Sequence, residues 1–329
     1  VLNYFDNVIP DVTPIADDKV NLDFVVEEKK STQRVNANLG FTGEYGVTGG
    51  VGVEFDNFRG KGQKLNVGLS TGTNFSVYST QEPSKYKSLN ISFQDPMIND
   101  SPYLVGASIF YSYRGSSTNY FFPLDFTVGG AVASFGRRLE WPDDFFRVMW
   151  SAKYMQKEYE GSQEDIDNYI GGLRKTKGIS LSQVLTRDSR NRSEFPTNGS
   201  TFMIENTFSG GFLGGNENFH KHTLSLEWYT PTFSKFILYN STKIGLIKTI
   251  DTDDDASTFI PFDERFIMGG NGIPYGNALR GYPDNAIGPQ TVGGQAVGGN
   301  AMARFITELR FPLSESPVIY MMAFAEMGN

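Results

Sequence analysis

The sequence predicts an all-β fold, an antiparallel β-barrel of the membrane-spanning kind, and three observations predict it. Apolar and polar residues alternate strictly in about thirteen segments of the ~10 residues that a tilted spanning strand needs. The polar phase of these segments is Asn, Ser, Thr, Gly, Gln and charge, strand after strand, which suits a water-filled lumen better than one side of a two-sheet core. The connections are uneven, short at one end and long at the other. Composition agrees: among 329 residues there are 36 Gly and 14% aromatics, a mixture of strands and turns rather than helices.

The alternation opens at Arg34 with Val35, Ala37, Leu39 and Phe41 against Asn36, Asn38, Gly40 and Thr42. It returns as Val51, Val53, Phe55 and again as Leu65, Val67, Leu69, running on through Phe75 and Val77. Further segments follow at 89–93, 105–113, 126–132, 146–154, 179–185, 202–208, 224–228 and 236–246, and, beyond a Gly-rich stretch, at 301–311 and 318–326. Aromatic residues gather at segment ends, among them Tyr78, Phe93, Tyr103, Tyr113, Trp141, Phe145, Phe146, Tyr159, Trp228 and Tyr229, as expected of the two interfacial girdles. The register places Val35, Leu39, Val51, Val53, Leu65, Val67, Ile91 and Ile109 toward lipid, and Asn36, Asn38, Glu54 and Asn66 toward the lumen.

Residues 59–62 and 99–102 read as tight turns, and 160–172 as a long loop. The stretch from Pro261 to Gly299 is far longer than the ~12–15 residues of an ordinary connection, which marks it as functional or disordered. The first 30 residues differ in character: 1–14 reads as the end of a helix running into a strand, and 19–29 as a charged-edged strand. The division is therefore a fragment of a small α/β unit over 1–30 and a barrel over 31–329. With no initiator Met and no basic-then-apolar leader, the given sequence is expected to begin inside a longer precursor.

A net charge of −8 and a pI near 5.0 exclude a nucleic-acid partner, which would need a basic stripe. Absence of cysteine excludes a disulfide scaffold, a zinc ribbon and a thiol nucleophile. No stretch approaches the ~20 apolar residues of a spanning helix, and a test of that kind does not see membrane strands. Gly68-Leu69-Ser70-Thr71-Gly72 fits G-x-S-x-G, but it lies in an alternating strand with no helix after it. Asp251, Asp253, Asp254 and Asp255 lack the Gly and closing Glu of a calcium loop. Gly269, Gly270, Gly272 and Gly276 do not space as a nucleotide cradle. His220 and His222 share one strand face without a third ligand nearby. These residues predict no enzyme, no cofactor and no metal site.

Leu279-Arg280-Gly281-Tyr282, with 261–270 before it and 285–289 after it, resembles the V-R-G-F/Y motif of the BamA family of outer-membrane assembly proteins. Residues 185–200 resemble that family's D-x-R-x-x-x-x-F-P-x-x-G turn between strands eight and nine. Near the start, 20–29 and the strands over 38–68 look like the end of the last periplasmic POTRA domain passing into barrel strands one to three. Leu279 departs from the family's usual Val.

The resemblance implies a barrel of about sixteen strands, of which about thirteen are present, so the given sequence is expected to stop short of the last strands. It implies a lateral gate of which Arg34, Val35, Asn36, Ala37, Asn38, Leu39, Gly40, Phe41 and Thr42 form the first strand. Client outer-membrane proteins would be folded there into outer-membrane lipid without ATP, assisted by accessory lipoproteins, in a Gram-negative outer membrane. It also places carboxylate partners for Arg280 at Glu308 and Glu326. Period supports Glu308, which falls opposite Phe305, Leu309 and Phe311, whereas 318–325 is apolar on both faces and leaves Glu326 unfixed. The alternatives are a related polypeptide-secretion transporter, of two-partner or TamA type, and a passive porin.

Overall fold

The structure is a computed structural model that describes residues 5–16, 19–28, 33–42, 46–73, 85–116, 123–250, 260–270, 276–283, 285–290, 296–315 and 318–329. Phe5–Ala16 (β1) and Lys19–Glu28 (β2) form a separate antiparallel hairpin. Of the helix-into-strand expected over 1–14, the part from Phe5 onward is strand, where Val8, Ile9, Val12 and Thr13 pair directly across from Val26, Val25, Leu22 and Asn21, and residues 1–4 lie outside the described residues. Pro10 and Pro14 lack an N–H, and a two-stranded ribbon leaves each strand an edge where that is tolerated.

Thirteen strands follow in one antiparallel sheet, each bonded to its sequence neighbours. They are Gln33–Thr42 (β3), Gly46–Phe58 (β4), Gln63–Thr73 (β5), Lys85–Asp95 (β6), Tyr103–Arg114 (β7), Asp125–Arg138 (β8), Phe146–Glu160 (β9), Lys175–Asp188 (β10), Gly199–Ser209 (β11), Phe219–Pro231 (β12), Ile237–Thr249 (β13), Ala301–Glu315 (β14) and Val318–Gly328 (β15). Among the described residues β3 pairs only with β4, and β15 only with β14. The antiparallel all-β reading stands, with the strand count that the alternation gives.

Register follows the alternation. Val35, Val53, Val67, Ile91 and Ile109 stand directly opposite one another across five strands, and Leu39 is 83% exposed on the outer surface. The opposite phase carries Arg34, hydrogen-bonded to Asp56 at 2.5 Å, and the row Glu54, Asn66, Ser92, Ser108. Two aromatics of the supposed girdle turn inward instead. Tyr159 stacks on Phe126 at 5.3 Å and Tyr229 lies tilted against Tyr239 at 4.9 Å, all four buried. Period explains them, since they alternate with the outward Glu158 and Trp228. Tyr78 lies outside the described residues.

The segment after β9 read as a loop, and it holds a helix, Gln163–Ile170 (α1). Ser162 caps it by accepting from the Asp165 amide at 3.1 Å, and Gly171 ends it at φ 60°. Ile166 and Ile170 are buried against Leu124, Phe126 and, from the inward loop, Phe262 and Ile267. The core therefore lies inside the wall, between β8–β14 and the segment joining β13 to β14. The short connections at 59–62, 139–145 and 232–236 lie at one end of the sheet, and α1, 210–218 and the 250–300 connection at the other.

Candidate functional site: the inward loop and its anchors

The connection after β13 enters the lumen rather than leaving it. Phe266 lies directly over Gly245 on β13, where any Cβ would strike its ring, so glycine there is what lets the loop descend. Phe266 bridges to Gly299, Met268 to Asn277 and Ile287, and Gly270 to Leu279, so the loop is cross-tied by its own backbone. Leu279, Met268 and Phe266 pack with Phe219, Ile247 and Met302 of the wall.

At its tip Arg280 faces β14 and β15. Its backbone N–H donates to Glu326 Oε2 at 2.8 Å, and its Nε donates to Glu326 Oε1. Its Nη2 donates to Glu308 Oε1. The guanidinium carbon stands 3.8 Å from the centre of the Phe324 ring. Glu308 in turn accepts from Arg310 Nε at 2.7 Å, and Arg310 lies 4.0 Å over the Tyr239 ring. The two carboxylates are 6% and 5% exposed by side chain, against 32% for Arg280. Gly281 has φ 87°, the left-handed region that glycine takes without strain. Tyr282 is half exposed. The structure thus brings Arg280, Glu308 and Glu326 together, while β3 is not part of this contact; Arg34 is held by Asp56 and by Glu54 at 3.5 Å.

The base of the loop carries a second set that sequence reading missed. Asp263 and Glu264, in a short 3-10 turn, meet a row of inward lysines. Lys157 on β9, fully buried, lies 2.9 Å from Asp263 and 3.1 Å from Glu217 of the β11–β12 connection. Thr176 of β10 donates to Glu217 at 2.6 Å. Lys221 of β12 reaches Glu264 at 3.0 Å, and Lys153 lies 3.9 Å from it. Burial pushes the Glu217 carboxyl above its ordinary range despite Lys157. Burial acts the same way on Glu264, but Lys221, Lys153 and Lys157 outweigh it and hold that carboxyl below its ordinary range. Period alone puts Lys153 and Lys157 on the lumen phase, where lysine reads as hydrated; nothing local tells that a distant segment covers them.

The turn at 189–198 closes from the opposite end. Asp188 accepts two bonds from Arg190, at 2.9 and 2.7 Å, and Phe195 meets the Tyr320 ring of β15 edge-on at 5.4 Å. Residues 68–72 stay within β5, and His220 and His222 point outward, 3.0 Å apart, with Asn206 on His222 at 2.8 Å. Among the described residues no group of three or more His, Cys, Asp and Glu could hold a metal. The acidic run at 251–255 and Gly272 lie outside the described residues.

An antiparallel wall, apolar outside and polar inside, with an arginine-latched loop folded into its lumen, defines a plugged outer-membrane β-barrel. The Omp85 superfamily domain matches residues 57–329, and the chain belongs to that superfamily. It is 25% identical over 294 residues to the outer membrane protein assembly factor BamA of Nitratidesulfovibrio vulgaris, covering 87% of this chain and 33% of that protein. It is 23% identical over 359 aligned residues to the outer membrane protein assembly factor BamA of Neisseria meningitidis serogroup B, covering 100% and 41%. The chain thus spans between a third and two fifths of these relatives. In fold it is similar to BamA from Haemophilus ducreyi lacking POTRA domains 1–3, with a TM-score of 0.73 at 19% identity, covering 100% of this chain and 63% of that one. CdiB from Escherichia coli is similar at a TM-score of 0.59 and 14% identity, covering 98% and 56%. The protein is an outer-membrane β-barrel of a Gram-negative bacterium.

Proposed function

We propose that this chain is the barrel of an outer-membrane protein assembly factor, which folds client β-barrel proteins into lipid through a lateral gate of which β3 is the first strand. The observation that carries this reading is the Arg280 latch. It ties the lumen loop to Glu308 of β14 and to Glu326 of β15. A loop pinned to the inner wall keeps the lumen in place while a gate at β3 opens for a client strand. No nucleotide takes part; clients descend in free energy as their strands pair and their apolar faces reach lipid. Residues 1–30 are the end of a periplasmic POTRA domain that delivers clients, and accessory lipoproteins assist. No step requires an enzyme active site or a cofactor.

The test is assembly of an unfolded client barrel by the full-length protein in vesicles. Arg280→Ala should slow assembly while the barrel itself remains folded. Arg280→Glu should be worse, and adding Glu308→Arg should recover part of the loss. A charge swap that recovers nothing, with normal assembly by Arg280→Ala, would remove the latch from the mechanism.

A further inference from the structure

A third set of polar contacts fastens the loop to the wall, and it differs in kind from those at the base and the tip. Lys243 of β13 and Arg304 of β14 stand directly opposite one another on the lumen phase. Lys243 Nζ donates to Asn277 Oδ1 at 2.7 Å, and Arg304 Nη1 donates to the Ala278 carbonyl at 2.7 Å. Both acceptors are neutral. Arg304 Nε is shielded from solvent and has no hydrogen-bond partner among the described residues.

The other wall and loop cations nearby are matched with acids. Lys157 and Lys221 meet Asp263 and Glu264, Arg280 meets Glu308 and Glu326, and Arg310 meets Glu308. Among the described residues neither Lys243 nor Arg304 has an ion pair. Glu205 acts on Lys243 only from β11, two strands away. Glu326 stands opposite Ile306, one inward position from Arg304, and is taken by Arg280. Set against Glu205, the pair leaves one positive charge over, and the shielded Nε–H goes unmet.

We propose that Lys243 and Arg304 form a binding site for a carboxylate, and that an acidic side chain of a polypeptide in the lumen takes it in place of Asn277 and Ala278. A hydrogen bond between two charged partners is roughly twice as strong as one between neutral groups. A carboxylate brings one oxygen for the ammonium and one for the unmet Nε–H. Its single charge matches the excess, which a phosphate dianion would overshoot. Asn277 and Ala278 lie just ahead of Arg280, so their displacement leaves the tip to the Arg280 latch alone. The inference rests on the assembly reading in one respect, that a polypeptide enters the lumen, and its test needs no client assembly.

The test is hydrogen exchange of the full chain in detergent micelles, read by mass spectrometry over residues 276–282. Hexaglutamate, hexaglutamine or inorganic phosphate is added at matched ionic strength. The amides of Asn277 and Arg280, bonded to Ile267 and to Glu326, are the reporters. Hexaglutamate should speed their exchange about tenfold, the equivalent of one charged hydrogen bond, and the other two additions should not. Lys243→Gln with Arg304→Gln keeps a donor at each position without the charge, and should remove the response. Asn277→Asp sets a carboxylate of the loop itself against Lys243 and gives up a 3.4 Å bond to the Ile267 carbonyl. It should slow exchange in the absence of peptide and blunt the hexaglutamate response. Equal acceleration by hexaglutamine or phosphate, a response that survives in the double Gln variant, or a native response from Asn277→Asp would overturn the site. No acceleration by hexaglutamate would also overturn it, and would leave the assembly reading untouched.

Discussion

The inward loop is held at its base and at its tip, and the two holds differ in how much water they see. At the base, Lys157 is 0% exposed and bridges Glu217 and Asp263, which belong to two different connections. At the tip, Arg280 keeps 32% of its side chain exposed while gripping two nearly buried carboxylates. A dry ion network is expensive to break, because losing one partner strands charge in a low-dielectric site. A partly wet one can exchange its contacts for water at modest cost. The base is therefore the costlier hold to break and the tip the cheaper one. Ordering a loop of this length opposes folding by ~1–2 kcal/mol per residue, so a single hold would not suffice.

The largest effect should come from the base. Lys157→Met keeps volume but leaves Glu217 and Asp263 facing each other without a cation, and should cost about 3–5 kcal/mol in equilibrium unfolding. Arg280→Ala should cost less than half of that in the same denaturation series. Equal losses would erase the distinction between base and tip.

Next in size is a control on the wall itself. Val53→Arg, on the outer phase near the middle of β4, should lower stability by about 2–4 kcal/mol, and Asn66→Arg, on the lumen phase, by much less. Matching penalties, read from folding into lipid vesicles, would show that the inner and outer faces are misassigned.

The smallest effect is a pH slope of opposite sign at two neighbouring carboxyls. Glu217 has a raised folded value, so its contribution is present below the unfolded value near 4.5 and is lost as pH rises through the folded one. Glu264 has a lowered folded value, so its contribution is present above about 4.5 and is lost as pH falls through the folded one. Glu264→Gln should thus destabilise the protein at neutral pH and converge on the native chain in acid. Glu217→Gln should be nearly neutral at pH 7. Parallel pH profiles for the two variants would mean that the lysines do not divide them in this way.

The wall was legible in the sequence because a period of two is local: Val35, Val53 and Val67 declare their face within a few residues. Arg280 and Glu308 were also within reach, one through its motif and one through its phase. The hold at the base was not, because Lys157 and Asp263 are 106 residues apart and each looks like an ordinary hydrated charge. The helix α1 escaped for another reason. Its eight residues, Gln163–Ile170, show just over two turns of pattern, and what stabilises them is contact of Ile166 and Ile170 with Phe262 of the loop.

One of the two hydrogen bonds to Glu326 comes from the main chain, since the amide of residue 280 donates to it beside the guanidinium. That amide survives every substitution at the position except proline. An alanine scan therefore measures the side chain's share and leaves a residual tether in place. Proline alone would test how the loop behaves with neither donor, and the distance between the alanine and proline phenotypes is the backbone's own contribution to the latch.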